Sequence, residues 1–557
     1  MYYFPSGKSN FKILRKEGYV YVDKTAYIEK LENLRKQSIH FLRPRRFGKS
    51  LFTSMLACYY DVNMSDEFDE IFQGTYIYDH PTQKRSQYYV LKFNFSGVGG
   101  NYKESAEKAF KRKVINGLKE FTIHYNFKVP ILEEESASGI LSSFLVDCVA
   151  YIEDKKIYVI IDEYDQYAND MLSFAFDEFS KATRSDGYIR AFYEELKAGS
   201  EKVIDQIFIT GVSPITIDSL TSGFNISTNL SLDSEFNEMM GFTSEEMSHL
   251  ISLVDNIKNP EVILDKMKQV YDGYIFSKEA EVHLYNPNMA LYYLDYYQRK
   301  GKEPESLIDP NIYSDYNKIR NLLTIKPSEE QRDALLEIIT EGKLSCRLTL
   351  SFDLQKDFSR DDFVSLLYYL GYLTIQSTLL DKLTLAVPND VIRSVYFDYF
   401  NEMMNKKYDV YTKDYEIAVE KLLMEQKNDK LVACTEQTLT ALDNRDFLSF
   451  NEKIVKAILT SILTPSNYLL LKNEYPVDKG YIDLALFPRN VKAPIMFIEL
   501  KYIKANEFNS LTLQKKRKEA ELQLMNYSSA SEFKDNDIIR WILIFSKNKC
   551  VLNEKIN

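Results

Sequence analysis

The most regular feature of the chain is a series of short apolar runs, each followed by a stretch in which apolar residues have helical spacing. The runs are 38–42, Tyr88–Phe95, Ile157–Asp165 and Ile204–Pro214. A continuous apolar run is typical of a strand that is buried on both faces, as in a parallel sheet. Strands that alternate with helices imply right-handed crossovers and helices on both faces of the sheet. We therefore predict an α/β domain with a mainly parallel sheet over residues 1–237.

From Gly241 the pattern becomes helical. The sequence GFTSEEMSHL predicts a helix that starts at Thr243 or Ser244, with Glu246 nearby as in a capping box. Residues 329–388 then predict two helices and a short hairpin, an order that resembles a winged helix. A winged helix binds DNA in some proteins and packs as a lid in others, so its role stays open. We assign residues 238–400 to this helical and winged-helix-like middle region.

Strands return near the C-terminus. Tyr475–Phe487 predicts a turn followed by a strand, and Pro494–Tyr502 predicts a second strand. Pro494 stands at the start of its strand, where no ladder hydrogen bond is needed. The short connection between the two strands predicts an antiparallel hairpin, within an α/β domain over residues 401–557.

The first apolar run leads into RPRRFGKS, residues 43–50, and an amphipathic segment without Gly or Pro follows. Strand, loop and helix in this order are the layout of a phosphate-binding P-loop, in which main-chain N–H groups face the phosphates. Lys49 would place its cation against the β and γ phosphates, and the Ser50 hydroxyl would ligate Mg²⁺. Arg43 stands where the full pattern has its first glycine, and a surface Gly-Lys-Ser turn is the alternative. The predicted nucleotide contacts in this loop are Arg46, Phe47, Gly48, Lys49, Ser50 and Leu51.

A second motif supports a nucleotide site. The apolar run IYVII is followed directly by Asp162 and Glu163. Asp162 would hold Mg²⁺ through water, and Glu163 would orient or deprotonate the attacking water. On the next strand, Thr210 or Ser213 would present a polar side chain to the γ-phosphate, although a strand-end turn explains these residues equally well. Because ligands bind at the carboxyl ends of such strands, the sequence predicts ATP and Mg²⁺ as cofactors.

The C-terminal hairpin carries another charged cluster. Glu499 and Lys501 are two residues apart on one strand, so their side chains share a face, and Asp483 comes from the paired strand. This set suits metal-assisted phosphodiester cleavage, in which Asp483 and Glu499 bind Mg²⁺ and Lys501 orients or activates the nucleophile. Oxygen ligands without thiols favour Mg²⁺ or Mn²⁺ over zinc. A solvated strand face is the alternative, but the apolar residues of FIEL indicate a buried strand.

Residues in two helices are placed to support this cluster. Glu452, in an upstream helix, would add a third carboxylate to the metal site. Gln523 and Tyr527 are one helical turn apart, so they share a helix face and would brace the site. On the same helix, KKRK at 515–518 offers positive charge to a phosphate backbone, although a solvated helix face is the other interpretation.

Composition narrows the classes of partner. The 557 residues carry a net charge of −11 with a pI of about 5.3, which argues against a protein that coats nucleic acid non-specifically. Nucleic acid would instead bind a local basic patch in the C-terminal domain. Five scattered cysteines without a CxxC pair argue against structural zinc and fit a reducing cytosol. We expect no signal peptide and no membrane span, so the predicted location is cytoplasmic.

The motifs resemble two known families. YVDKT, RPRRFGKS, VIIDEYD, FITGVSPI and the later YDGYIF and LYNP resemble the bacterial AAA-ATPase-like family of additional-strand P-loop ATPases. Asp483 with Glu499-x-Lys501 resembles the PD-(D/E)XK nuclease superfamily, in the subgroup often fused behind that ATPase. The resemblance implies a P-loop NTPase domain followed by a restriction-endonuclease-like α/β domain. The positions that match the helix-borne Glu and the Gln-x-x-x-Tyr helix of that subgroup are Glu452, Gln523 and Tyr527.

Two functions remain open from the sequence. The first is an ATP-binding and ATP-hydrolysing protein coupled to a Mg²⁺-dependent nuclease, in which ATP gates the cleavage of nucleic acid. The second is a nucleotide-dependent switch or interaction protein whose nuclease-like domain is an inert scaffold. An oligomer is compatible with either function, because P-loop ATPases often take a catalytic residue from a neighbouring copy.

Overall fold

The structure is a computed structural model of the chain, and it falls into two compact units. These are Met1–Ala334 with Lys343–Asp390, and Leu335–Gly342 with Val391–Asn557. The three-part division at 1–237, 238–400 and 401–557 stays a prediction. The residues that the structure describes are 2–97, 105–152, 154–166, 187–214, 226–309, 328–352, 358–408, 413–443, 451–464, 468–477, 480–489, 491–528, 533 and 536–556.

The first unit contains the predicted parallel sheet. Its strands lie in the order β2-β3-β4-β1-β5, and all neighbouring strands run parallel. β1 is buried along its whole length and β3 along all but its first residue, as expected for a sheet that is covered on both faces. The predicted α/β class is confirmed. The bounds of these strands are β1 Ser38–Leu42, β2 Tyr88–Asn94, β3 Lys156–Asp162, β4 Ile204–Gly211 and β5 Ser227–Asn229.

Helices connect these strands and continue through the middle of the chain. The last of them, α12, crosses from the first unit into the second at Leu335. The helix bounds are α1 Phe11–Lys16, α2 Ala26–Asn33, α3 Lys49–Tyr60, α4 Phe68–Phe72, α5 Tyr76–Asp79, α6 Ala106–Tyr125, α7 Ala137–Cys148, α8 Tyr188–Ser200, α9 Ser244–Ser252, α10 Pro260–Tyr271, α11 Pro287–Lys300 and α12 Glu329–Glu341.

β3 ends earlier than the apolar run Ile157–Asp165 predicts. Glu163 has φ 54°, a left-handed conformation that turns the chain out of the sheet directly after Asp162. Asp165 is buried beyond this turn, where its Oδ2 accepts hydrogen bonds from the main-chain N–H and the hydroxyl of Ser213, at 2.7 and 2.9 Å. The carboxyl ends of β3 and β4 are therefore tied together.

The middle region is helical with a small antiparallel sheet, as the sequence predicts. Thr243 is the N-cap of α9, and it forms a reciprocal capping box with Glu246, at 2.9 and 3.3 Å. The helix α13 lies between the first strand and the hairpin of a three-stranded antiparallel sheet, whose strands lie in the order β6-β8-β7. The bounds here are β6 Lys343–Cys346, α13 Arg360–Tyr369, β7 Thr374–Leu379 and β8 Lys382–Ala386.

The side chain of Arg43 is enclosed in the core of the first unit, with a relative exposure of 1%. Its guanidinium group donates four hydrogen bonds of 2.8 to 3.3 Å to main-chain carbonyl oxygens. The acceptors are the carbonyl groups of Leu42, Ser231, Phe236 and Asn237. These bonds hold the end of β1 against the segment that follows β5.

Two aromatic rings complete the enclosure of this arginine. The guanidinium carbon lies 4.1 Å from the ring centroid of Phe41 and 4.2 Å from that of Phe276. A desolvated cation over an aromatic face is attracted by the ring quadrupole. Arg43 therefore connects β1, the segment after β5 and the YDGYIF segment of the middle region.

The second unit is built on a mixed sheet with strand order β13-β12-β11-β10-β9. β11 and β12 run parallel, and the other neighbouring strands run antiparallel. The predicted β10–β11 hairpin is confirmed. The sequence analysis did not predict β9, β12 and β13. Tyr475, which was expected in a turn, lies in β9. The bounds are β9 Leu469–Val477, β10 Gly480–Pro488, β11 Ile495–Tyr502, β12 Ile538–Ser546 and β13 Lys549–Ile556.

Helices of the second unit lie before β9 and between β11 and β12. A π-helical turn, Lys421–Glu425, follows α15. Across the described ranges, no helix is both long enough and apolar enough to cross a membrane. The helix bounds are α14 Asp390–Tyr408, α15 Lys413–Glu420, α16 Asp429–Asp443, α17 Glu452–Leu463 and α18 Ser510–Ser528.

We expect Arg43→Met to lower the free energy of unfolding of the first unit by at least about 3 kcal/mol, because buried carbonyl groups lose a charged donor. Urea denaturation followed by circular dichroism measures this change. Trp541 is the only tryptophan of the chain and lies in β12, so its fluorescence follows the second unit separately.

The matched control for this prediction is Arg347→Met. Arg347 is 68% exposed and pairs with Asp381 at 2.8 Å. Removing an exposed ion pair should cost less than about 1 kcal/mol. Equal unfolding midpoints for Arg43→Met and Arg347→Met would contradict the structural role of Arg43.

Candidate functional site

A tight loop joins β1 to α3 at the carboxyl edge of the parallel sheet. Arg46 (φ 70°) and Gly48 (φ 94°) adopt left-handed backbone conformations, which are easy for glycine and uncommon for arginine. Gly48 is also the N-cap of α3, which begins at Lys49. Because the first N–H groups of a helix have no partner within it, this loop offers donors to an anion.

The ammonium group of Lys49 is held by the loop itself. Its Nζ donates to the main-chain carbonyl groups of Arg43 and Pro44, both at 2.9 Å. Burial lowers the pKa of Lys49 to about 8, although the carboxylates of Asp162 and Glu163 act in the opposite direction. A buried cation that has only neutral carbonyl partners gains from an added anion.

Asp162 and Ser50 meet beside this lysine. Burial raises the pKa of Asp162, and a hydrogen bond from the Ser50 side chain acts against that shift. In the part of the chain that the structure describes, the buried Oδ1 of Asp162 has no hydrogen-bond partner. Burial also raises the pKa of Glu163, and the charge of Asp162 adds to the shift. An unsatisfied buried carboxylate oxygen next to a hydroxyl group fits a hard divalent cation.

Lys49, Ser50 and Glu163 border a cavity of about 370 Å³ in the first unit. A polar end and an apolar wall together suit a ligand that carries both phosphates and a planar base. The polar end is lined by Arg45, Arg46, Gly48, Lys49, Ser50 and Glu163. The apolar wall includes Tyr21, Val22, Leu51, Met240, Phe242 and Leu291.

The loop residue Phe47 contributes differently. Its ring is 1% exposed and packs edge-on against Tyr274 and Phe276, with ring centroids 4.9 and 5.3 Å apart. The ring thus anchors the loop to the YDGYIF segment. The predicted nucleotide contact of Phe47 stays a prediction, and with the ring buried it would have to come from the main chain.

The structure places Thr210 inside the sheet rather than on the cavity wall. Its hydroxyl donates to the main-chain carbonyl of Phe41 at 2.9 Å and is fully buried. Ser213 is occupied by Asp165, as described above. The sensor role of either residue gains no support from this geometry and stays a prediction, because both side chains link neighbouring strands.

In the second unit, Asp483, Glu499 and Lys501 lie together. Lys501 Nζ is 2.7 Å from Glu499 Oε1 and 4.0 Å from Asp483 Oδ2. The relative exposures of the three side chains are 14%, 2% and 9%. β10 and β11 bring them together because Leu484 pairs with Ile498, so the residues one step beyond also lie side by side.

Burial governs the electrostatics of this cluster. It raises the pKa of Glu499 to about 7, with a further contribution from the charge of Asp483 and an opposing one from Lys501. Burial acts to lower the pKa of Lys501, but the carboxylates of Glu499, Asp483 and Glu452 outweigh it and raise the value. The ammonium group of Lys501 is therefore charged, and the raised pKa of Glu499 lies near neutral pH.

The helix α17 adds Glu452 and Lys456, which are one turn apart. Burial raises the pKa of Glu452, and its carboxylate accepts a hydrogen bond from the main chain of Tyr502. Lys456 Nζ lies 2.7 Å from Asp483 Oδ1. The sequence analysis did not identify Lys456. Its position four residues after Glu452 was the available signal, because that spacing places both side chains on one helix face.

One oxygen of this cluster, on Glu499, is suited to bind a divalent cation. Glu499 Oε2 is buried, and within the described ranges it has no hydrogen-bond partner. Among the residues that the structure describes, however, no group of three or more His, Cys, Asp or Glu side chains is placed to ligate one ion. Ammonium groups lie between the carboxylates instead. The metal set of Glu452, Asp483 and Glu499 therefore stays a prediction.

Gln523 and Tyr527 lie on one face of α18, as their spacing predicts. Gln523 Nε2 donates to the Tyr527 hydroxyl at 3.4 Å. The ring of Tyr527 packs so closely on Gly480 that a Cβ there would lie 2.8 Å from it. The pair thus braces the start of β10, the strand that carries Asp483.

The basic run at 515–518 is only partly available for phosphate. Arg517 binds Glu554 through two nitrogen atoms at 2.6 Å, and Lys516 pairs with Glu519 at 3.0 Å. Lys515 and Lys518 are the members with exposed side chains. Half of the run is therefore used in ion pairs on its own surface.

Comparison with known proteins assigns two parts of the chain to family models. Residues 5–221 match the family model described as a predicted AAA-ATPase, and residues 450–555 match the model of the PD-(D/E)XK nuclease superfamily. The fusion that the sequence motifs indicated is confirmed. The described P-loop and the Asp483 cluster lie inside the two matched regions.

The chain is also similar to a curated protein whose name states no activity. It is the "Uncharacterized protein in vnfD 5'region" of Azotobacter chroococcum mcd 1, which is 28% identical over 288 residues. The match covers 51% of this chain and 50% of the relative, so the chain spans about half the length of the relative it matches.

We expect the free energy of unfolding of Glu499→Gln, relative to that of wild type, to increase as the pH rises from about 5 to about 7. The folded protein holds Glu499 protonated up to a pKa of about 7, whereas the unfolded chain releases this proton earlier. The stability from Glu499 is thus full below the unfolded pKa and is lost as the pH rises through the folded one. Glutamine has no such loss, so the difference grows by up to about 1.4 kcal/mol per pH unit.

Urea denaturation followed by Trp541 fluorescence measures this prediction directly, because β12 pairs with β11 and Trp541 lies opposite Ile498. The control variant is Glu507→Gln, which changes an exposed glutamate after β11. A stability difference for Glu499→Gln that stays constant or shrinks with rising pH would contradict the prediction.

Proposed function

We propose that this chain, which joins an AAA-ATPase-like domain to a PD-(D/E)XK nuclease superfamily domain, hydrolyses ATP with the first and cleaves nucleic acid with the second. One observation supports both activities. Asp162 Oδ1 and Glu499 Oε2 are buried carboxylate oxygens that lack a hydrogen-bond partner among the described residues. Each lies close to a buried lysine, Lys49 or Lys501. Phosphate and Mg²⁺ together would satisfy both charges.

In the N-terminal site, the main-chain N–H groups of residues 46–51 hold the phosphates of ATP. Lys49 contacts phosphate oxygens in place of its two carbonyl partners. These contacts offset the free-energy cost of burying the ammonium group. Ser50 and Asp162 hold Mg²⁺, and Glu163 orients or deprotonates the attacking water. The apolar wall around Tyr21 and Phe242 excludes water from the base.

In the C-terminal site, Asp483 and Glu499 hold Mg²⁺, and Glu452 supplies a third carboxylate. When bound there, Mg²⁺ polarises the scissile phosphodiester and its attacking water. Lys501 keeps Glu499 oriented through its 2.7 Å contact and orients or activates the nucleophile. The exposed Lys515 and Lys518 give the nucleic-acid backbone a local positive surface.

The two activities are coupled in this proposal. ATP binding shifts the population of arrangements of the modules and thereby gates cleavage. The protein acts in the cytoplasm, and a neighbouring copy in an oligomer supplies any arginine that the ATPase site needs.

A second candidate is a nucleotide-dependent switch whose nuclease-like domain is inert. The observation that favours it is the absence, among described residues, of three carboxylate, imidazole or thiol groups placed around one point. It differs from the first proposal in one outcome, because it allows ATP binding without metal-dependent cleavage under any condition.

For the nucleotide site, we expect Lys49→Met to weaken ATP binding by at least about a hundredfold, because a buried cation contributes roughly 3 kcal/mol or more to a phosphate contact. Calorimetry with ATP and Mg²⁺ measures the affinity. Lys36→Met, which changes an exposed lysine before β1, is the control and should bind as wild type does. Unchanged affinity in Lys49→Met would remove Lys49 from the site.

For the nuclease site, we expect Asp483→Asn and Lys501→Gln each to reduce cleavage by about a thousandfold, since metal-assisted catalysis contributes several kcal/mol. The assay uses labelled DNA and RNA with Mg²⁺, with and without ATP. Glu507→Gln is the control. If wild type and both variants share one background rate under every condition, the nuclease proposal fails and the switch is favoured.

A further inference from the structure

The C-terminal cluster holds more positive charge than its sequence motif requires. Lys501 is the lysine of the motif, and it is paired with Glu499. Lys456, from α17, is a second lysine in the cluster and is partly buried, with a side-chain exposure of 15%. Two ammonium groups therefore share three carboxylates, those of Glu452, Asp483 and Glu499.

Lys456 occupies the part of Asp483 that faces away from the motif lysine. Asp483 Oδ2 accepts the main-chain N–H of Leu500 at 3.0 Å, which fixes that oxygen to β11. Oδ1 has Lys456 Nζ at 2.7 Å. Because Oδ2 already accepts a hydrogen bond from the sheet, we assign Oδ1 as the oxygen through which Asp483 would bind an ion. The lysine and a metal ion thus compete for one atom.

A second carboxylate partner for Lys456 lies close to Asp483. Glu474 Oε1 is 3.4 Å from Lys456 Nζ, and the Glu474 side chain is 71% exposed. Glu474 also has φ 50°, a left-handed conformation inside β9, between the residues that pair with Ile482 and Leu484. A non-glycine residue in this conformation is uncommon and is found often at functional sites. The distortion places Glu474 across from Asp483.

We propose that Lys456 is a positioning residue that holds Asp483 until a divalent ion is bound and then keeps only its contact with Glu474. The inference rests on the proposed function, because it assigns the metal to Asp483 and Glu499. In the metal-free site Lys456 offsets the charge of Asp483 through their 2.7 Å contact. With the ion bound, Lys456 keeps its charge balanced by Glu474 and leaves Oδ1 open. A lysine suits this role because its flexible stem and single cation allow a change of partner.

The test measures metal affinity rather than cleavage. Mn²⁺ binding to the full chain is followed by electron paramagnetic resonance of the free ion, and the binding that Asp483→Asn retains is subtracted. We expect Lys456→Met to bind Mn²⁺ about tenfold to a hundredfold more tightly than wild type, because it removes a charge-assisted hydrogen bond that binding must break. Lys456→Arg keeps a cation at Asp483 and should bind no more tightly than wild type.

Two further variants test the specificity of the effect. Lys453→Met removes an exposed lysine of the same helix, one that pairs with Glu341, and should leave the affinity unchanged. Glu474→Gln removes the second carboxylate partner of Lys456, so it should weaken Mn²⁺ binding by a few-fold. Circular dichroism of each variant establishes that it is folded.

The outcomes separate this inference from the proposed function. Tighter binding in Lys456→Met alone supports displacement of the lysine. If wild type shows Asp483-dependent binding and Lys456→Met binds equally or more weakly, the displacement is overturned while the metal site stands. If neither wild type nor Lys456→Met shows Asp483-dependent binding, both the metal site and the inference are overturned.

Discussion

The first unit depends on one buried guanidinium group. The side chain of Arg43 satisfies carbonyl groups at the end of β1 and after β5, while its own carbonyl accepts Lys49 Nζ from the other side. Burying an arginine costs less when fixed acceptors bind its donors, and four carbonyl oxygens bind the two terminal nitrogens of Arg43. These contacts hold the start of the loop in one conformation. This explains how an arginine serves at a position where the full loop pattern has glycine. Its role is to anchor the loop, and the anion donors follow it in the chain.

Both candidate sites place carboxylates where burial works against their charge. Burial raises the pKa of Asp162, at the end of β3, and that of Glu499, within β11. A buried charge costs free energy unless partners compensate it, and one oxygen of each residue has none among the described residues. The same cost of a buried, incompletely compensated carboxylate therefore exists on two separate sheets. In the proposed function, a divalent cation would relieve it in each.

The sites differ in how their positive charge is held. Lys49 has neutral carbonyl partners, so it is ready for an anionic ligand. In the second unit, Lys456 and Lys501 are paired with carboxylates directly, so that site carries its own counter-ions. This difference follows from the ligands proposed for them. In the proposal, ATP would bring phosphate charge to the first site, whereas an ion would first have to displace a lysine in the second.

Local patterns in the sequence determined the elements that carry the sites. The apolar runs determined the parallel strands β1 to β4, the Thr243–Glu246 spacing determined the start of α9, and alternation placed Glu499 and Lys501 on one face. Only the tertiary structure decided which partners meet. Arg43 is satisfied by residues after β5, Thr210 turns into the sheet, and Lys456 reaches Asp483 from a separate helix. The physical reason is that periodicity encodes which face of an element is buried, whereas contacts between distant segments depend on how those faces pack.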